Sequence, residues 1–143
     1  MYQTLFSVHS FIAYAALGLL VLASINAIAG LLSKKLFTSR DRSISLIALI
    51  VCHIQLLVGL ILYFVSEKGF KAFSIEGAMK NPELRLTMLE HPLINIIALV
   101  FITIGWSKHK KEESNNGKFK KIAVLYSIGL ILILSRLPWA SWL

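Results

Sequence analysis

Hydrophobic positions in this chain fall into four long blocks separated by short polar or basic segments. The blocks cover residues 5–32, 44–65, 88–106 and 122–139. Each is near or above the ~20 residues that an α-helix needs to cross ~30 Å of hydrocarbon. The strict polar–apolar alternation of a transmembrane β-strand does not occur. The pattern predicts an all-α fold in which four transmembrane helices form an up-down-up-down bundle, as one integral membrane domain over residues 1–143.

Composition supports this interpretation, because 57% of the 143 residues are hydrophobic and 15% are charged. Soluble domains are typically about 45–50% apolar and about 25% charged. These values exclude an ordinary soluble domain and a disordered chain. Cys52 is the single cysteine, so an intramolecular disulfide framework is excluded as well. The first block is kept as a helix, because no basic residue precedes it and it is longer than the core of a signal peptide.

The net charge of +8 is concentrated in two of the three loops. Their basic residues are Lys34, Lys35, Arg40 and Arg42 in the first loop, and Lys108, Lys110, Lys111, Lys118, Lys120 and Lys121 in the third. By the positive-inside rule these loops are cytoplasmic and both termini lie outside. We therefore expect a multi-pass protein of the bacterial inner membrane whose partner is the lipid bilayer, and not a nucleic acid.

The segment before the third block contains a helix start signal. Asn81 is a suitable N-cap, Pro82 suits the first helical position, and Glu83 places an acid in the first turn. The third helix is therefore predicted to begin near Pro82, before its apolar part.

Few ionisable residues lie within the apolar blocks, and each is a candidate functional residue. At ~1.5 Å rise per residue, His9, the pair Glu90-His91 and Arg136 reach a similar depth in the outer half of the membrane. His53 lies near the midplane. Three helices thus bring polar groups to one level, and the fourth carries a deeper histidine.

Histidines on facing helices are a known way to hold a haem in a helical bundle. Helices one and three are diagonal in an up-down-up-down bundle, so His9 and His91 are candidate axial ligands of haem b. Arg136 and Arg85 lie near the same level and suit the propionates. Asn95, one turn below His91, is a candidate to orient its imidazole. The same histidines are also candidate ligands of a metal ion.

Each of these residues also has a purely structural interpretation. A membrane histidine such as His9 or His53 often only bonds a neighbouring helix. Arg136 suits an interfacial position from which it reaches the headgroups, and His109 is expected to be solvated in a basic loop. The tryptophans are expected to be interfacial anchors; they are Trp106, Trp139 and Trp142.

Over nearly its whole length the chain resembles a family of small four-helix membrane proteins described as cytochrome b-like. The matching segments are Leu5-Phe6-Ser7-Val8-His9-Ser10, His53-Ile54-Gln55-Leu56-Leu57-Val58-Gly59-Leu60 with Tyr63-Phe64, Arg85 with Met88-Leu89-Glu90-His91, and Pro138-Trp139. The resemblance implies haem b and electron transfer. His9, His53 and His91 are the matching histidines, and which two would ligate stays open. If His9 and His91 ligate, His53 is free to bond a quinone or relay protons.

Three functions are compatible with these patterns. The first is a haem b protein that passes electrons between membrane quinol and a respiratory partner. The second is a haem-free accessory subunit of a respiratory or secretory membrane complex, and an oligomer is compatible with either. The third is a small carrier with Glu90, His91 and His53 as a proton relay, which the lack of an inverted repeat disfavours. No nucleophile–base pair is recognisable, so any turnover would be redox chemistry.

Overall fold

The computed structural model describes residues 1–142, and this part of the chain is helical with no β-strand. The helices are α1 (Tyr2–Ser33), α2 (Ser39–Val65), α3 (Pro82–Arg85), α4 (His91–Lys111), α5 (Asn115–Ser135) and α6 (Trp139–Trp142). Two 3₁₀ turns, Phe70–Ser74 and Ala78–Lys80, lie between α2 and α3, and a π-helical turn, Leu86–Glu90, joins α3 to α4. The predicted all-α fold is confirmed.

Three segments are long and apolar enough to cross a membrane, namely Tyr2–Ser33, Ser39–Ser74 and Pro82–Lys111. The fourth long helix, α5, differs because lysines occupy its first two turns and its apolar part begins only at Ile122. A membrane protein is therefore plausible on length and composition. The fourth span and the orientation stay predictions.

The long helices pack as a ring. α1 contacts α2 and α5, and α4 contacts the same two helices. α1 and α4 consequently lie diagonally across the ring. Small residues permit this close packing: a Cβ atom on Gly129 of α5 would lie 2.5 Å from a side-chain carbon of Ile102 in α4, as at helix interfaces where backbones approach closely.

The third helical region starts where the sequence predicts. The side-chain oxygen of Asn81 accepts hydrogen bonds from the backbone N–H groups of Glu83 at 3.0 Å and Leu84 at 3.3 Å. Pro82 is the first residue of α3. The expected N-cap and first-turn proline are thereby confirmed.

Two residues near the basic loops differ from their predicted environment. His109 is 1% exposed, donates from Nδ1 to the carbonyl of Trp106, and packs against the ring of Phe37 with centroids 5.4 Å apart. The expectation of a solvated His109 is wrong, because the loop carrying Phe37 folds over it, and burial lowers its pKa. Trp106 is 7% exposed, with Arg42 over its ring, so it is a core residue and not a lipid-facing anchor.

Candidate functional site

His9 of α1 and His91 of α4 meet across the diagonal of the ring. Their imidazole centroids are 6.3 Å apart and the ring planes are almost perpendicular, at 85°. Both line a cavity of about 310 Å³ near the start of α1 and the end of α5. The remaining lining is largely apolar and includes Ala13, Leu17, Leu20 and Leu56. The sequence placed the two histidines at one depth, and the structure brings them together.

A proline beside His91 shapes the start of α4. Pro92 has no N–H, so the carbonyl four residues earlier, that of Met88, cannot receive the usual helical hydrogen bond. The chain forms the π-helical turn Leu86–Glu90 at this point, and the hydroxyl of Tyr63 in α2 donates to the Met88 carbonyl at 2.8 Å. This bond ties α2 to the turn that carries His91.

A second helix break supplies a partner for the His91 ring. The fourth apolar block was predicted to continue to residue 139, but α5 ends at Ser135 because Pro138 disfavours a helical conformation in the residue before it. The carbonyl of Arg136 then lies 2.9 Å from Nδ1 of His91. A carbonyl only accepts, so this contact requires the proton on Nδ1 and leaves the lone pair on Nε2. The amide nitrogen of Asn95 is farther from Nδ1, at 3.2 Å, and donates to the His91 carbonyl instead.

The His9 ring lacks such a partner. Its Nδ1 is buried and accepts or donates no hydrogen bond within residues 1–142. The ring lies against Gly59 of α2, where a Cβ atom would be only 3.0 Å from Cε1 of His9. The side-chain amide of Gln55, one turn earlier in α2, donates to the His9 carbonyl at 2.9 Å. α2 thus holds the His9 backbone and packs against its ring without a hydrogen bond to Nδ1.

Charged residues form a cluster beside the cavity. Glu90 accepts a hydrogen bond from Nε of Arg85 at 3.0 Å, and Nε of Arg136 lies 3.8 Å from its other carboxylate oxygen. The two predicted propionate partners therefore converge on one carboxylate. Asn95 lies beside the His91 ring as expected, with its amide nitrogen 3.2 Å from Nδ1, and donates to the His91 carbonyl.

His53 lies apart from this pair. It is exposed on the outer surface of α2, with Nδ1 2.9 Å from the carbonyl of Leu49 in the preceding turn. The cavity lining includes its neighbours Cys52 and Gln55 but not His53. The structure therefore brings together two of the three candidate histidines and leaves the third facing away.

The chemistry of the pair suits a haem, because two imidazoles from facing helices at a largely apolar cavity are donors that a helical bundle can offer to a haem iron. A bare ion needs further ligands, and within residues 1–142 no group of three or more His, Cys, Asp or Glu side chains could supply them. A haem, in contrast, already supplies four nitrogen ligands from its macrocycle.

Several residues contribute to the site in ways that were not predicted from the sequence. Gly59 makes room for His9, Tyr63 bonds the Met88 carbonyl, and Pro138 interrupts α5 so that the Arg136 carbonyl contacts His91. Trp142 of α6 donates from Nε1 to the hydroxyl of Ser10 at 2.7 Å and so ties the end of the chain to α1. Pro92 and Pro138 were the available signals, because a proline within an apolar block interrupts the helix and its hydrogen bonds.

No protein-family model matches this sequence, and neither the curated proteins nor the solved structures include a significant match.

Proposed function

We propose that this protein binds haem b between His9 and His91 and passes electrons between membrane quinol and a respiratory partner protein. The observation that supports this most directly is the pair of imidazoles, 6.3 Å apart and nearly perpendicular, at an apolar cavity. A second supporting observation is that Nδ1 of His9 is buried with no hydrogen-bond partner among residues 1–142, so a hydrogen bond does not account for the position of this ring.

Each residue has a defined task in this proposal. His91 would ligate through Nε2, because its Nδ1–H is committed to the Arg136 carbonyl. His9 would ligate through a free ring nitrogen, and the apolar lining would exclude water. Arg85 and Arg136, which both contact Glu90, would be the cations that bind the propionates. The haem would supply one-electron redox chemistry, whose potential depends on its ligands and their hydrogen bonds.

The proposal includes an arrangement in the membrane. Four spans would place both termini and the histidine pair on the outer side of a bacterial inner membrane, with the basic loops inside. Electrons from quinol would then reach the site from within the bilayer. His53 faces outward from α2, where it is available to a quinone or to a second protein.

The test is an absorption spectrum of detergent-purified protein expressed with supplied haem, first oxidised in air and then reduced with dithionite. The wild type should show a Soret band and sharp reduced α and β bands, as six-coordinate haem does. His9→Ala and His91→Ala should each lose this six-coordinate spectrum. His53→Ala is the matched control and should retain it, because His53 is outside the cavity.

Two results would contradict the proposal. A full six-coordinate spectrum in both His9→Ala and His91→Ala would show that the ligands are elsewhere. A wild-type protein without a chromophore at saturating haem would favour the haem-free accessory subunit, which should then purify within a larger membrane assembly.

A further inference from the structure

The hydrogen bond between His91 and Arg136 decides which nitrogen of His91 keeps a lone pair. Nδ1 of His91 lies 2.9 Å from the main-chain carbonyl of Arg136. Had α5 continued, this carbonyl would have received the N–H of the residue four positions later. Arg136 instead has φ −132° and ψ 29°, which is not a helical conformation, and its carbonyl turns to α4.

Pro138 accounts for the break. Its ring disfavours the helical conformation of Leu137, and its missing N–H leaves the carbonyl of Leu134 without a helical donor. The indole Nε1–H of Trp139 donates to that carbonyl at 3.1 Å. The Leu134 carbonyl at the end of α5 is thus satisfied by a side chain, as expected of an ordered helix end and not of a frayed one.

The chain after the break is held in place from the opposite side. The indole of Trp142 donates to Ser10 in α1 at 2.7 Å and packs on the ring of Tyr14, with centroids 4.7 Å apart. Ser10 is the neighbour of His9. The segment after Pro138 therefore connects the helix that carries one histidine with the carbonyl that orients the other.

We propose that Pro138 is a positioning residue for His91: it ends α5 so that the Arg136 carbonyl fixes the proton on Nδ1 and leaves the lone pair on Nε2. The role of Nε2 as a ligand rests on the proposed function, whereas the proton position does not. Metal-ligating histidines commonly donate their other N–H to a carbonyl, which fixes the ring and raises its basicity.

The first test needs no haem. Protein labelled with ¹⁵N-histidine is studied by long-range ¹H–¹⁵N NMR in detergent micelles at pH 8, and His91 is assigned from the signal lost in His91→Gln. Wild-type His91 should show only the Nδ1–H tautomer. In Pro138→Ala the helix can continue and recapture the carbonyl, so the Nε2–H tautomer should appear as well.

The second test uses haemin as the probe. Pro138→Ala should bind haemin about 10–100-fold more weakly, the usual effect of losing the hydrogen-bond partner of a metal ligand. Arg136→Ala is the matched control for the NMR experiment, because it removes the side chain and keeps the carbonyl. It should preserve the Nδ1–H tautomer.

The proposal is overturned if wild-type His91 shows the Nε2–H tautomer, a result that needs no variant to fold. It is also overturned if Pro138→Ala keeps both the single tautomer and wild-type haemin affinity. A wild type with the Nδ1–H tautomer that binds no haemin would refute the proposed function and leave the positioning role of Pro138 in place, so the two failures are distinguishable.

Discussion

Single residues at the cavity matter through the space they leave as well as through their chemistry. Gly59 faces the His9 ring so closely that even a methyl group would lie 3.0 Å from Cε1. Since Nδ1 of His9 gains no hydrogen bond within residues 1–142, packing is what positions its ring. The position of one glycine thereby determines the position of one candidate ligand.

Gly59→Ala should therefore displace the His9 ring by a few tenths of an ångström and weaken haemin binding about tenfold, at the low end of the effect of disturbing the surroundings of a metal ligand. The measurement is a haemin titration followed at the Soret band. Gly18→Ala in α1 is the matched control, because nothing lies within 4 Å of its added Cβ. It should leave affinity unchanged and stabilise the helix by roughly 0.5–1 kcal/mol. Equal haemin affinity in the two variants would refute a packing role for Gly59.

The histidines show how far single residues were predictable. Depth along the helix could be counted from the sequence, so the meeting of His9 and His91 was anticipated. The face of the helix could not be read for His53, because α2 is apolar on nearly all sides and lacks a clear polar stripe. His109 was misassigned because its burial depends on Phe37, which is distant in sequence and folds over it.

At the scale of helices, the start of α2 is fixed by one buried carboxylate. Asp41 accepts from the backbone N–H and the hydroxyl of Thr38, both at 2.9 Å, and from Asn26 of α1 at 2.9 Å. Lys35 lies 3.2 Å away in the connecting loop. The carboxylate thus caps α2 and joins it to α1, just before the apolar span of α2 begins.

Asp41→Asn should destabilise the protein by about 1–3 kcal/mol, because an amide cannot accept all of these bonds and leaves buried donors unsatisfied. Burial alone would raise the pKa of Asp41, but the hydrogen bonds from Thr38, Asn26 and Lys35 outweigh it and lower the pKa. Its stabilisation is then fully present above the ordinary carboxyl pKa of about 3.9 and is lost as the pH falls through the lower folded value. Thermal unfolding in detergent between pH 7 and 3 measures this.

The comparison of wild type with Asp41→Asn isolates the contribution of this group. The difference in unfolding free energy should be constant above about pH 5 and shrink towards pH 3. A difference that does not depend on pH would show that Asp41 is not the titrating group.

Helix ends were less predictable than helix existence. The apolar blocks identified the long helices because a segment of that length and composition has few alternatives. Asn81 and Pro82 marked a start correctly because a cap acts locally. The end of α5 was placed too late, since the residues after Ser135 remain apolar and only Pro138 marks the break. The predicted end of α5 rested on composition, whereas the observed end is set by the backbone restrictions of proline.

At the scale of the whole molecule, the two ends of the helix ring differ in charge and in the groups that they carry. The histidine pair, the Glu90 cluster and both chain ends lie at one end. The loops rich in lysine and arginine lie at the other, where the connections α1–α2 and α4–α5 are found. This polarity along the axis is what the positive-inside rule uses to orient a protein.

The proposed orientation predicts which loops face which side. In a Cys52→Ser background, Glu76→Cys lies in the connection between α2 and α3, and Asn116→Cys lies near the start of α5; both positions are exposed. A membrane-impermeant maleimide applied to right-side-out vesicles should label Glu76→Cys and spare Asn116→Cys, and inside-out vesicles should show the reverse.

Labelling of both positions in one vesicle type would mean that α4 does not separate these loops, and the four-span arrangement would then be wrong. A fully reversed pattern would keep the spans and move the histidine pair to the cytoplasmic side, where an electron partner would have to be sought instead.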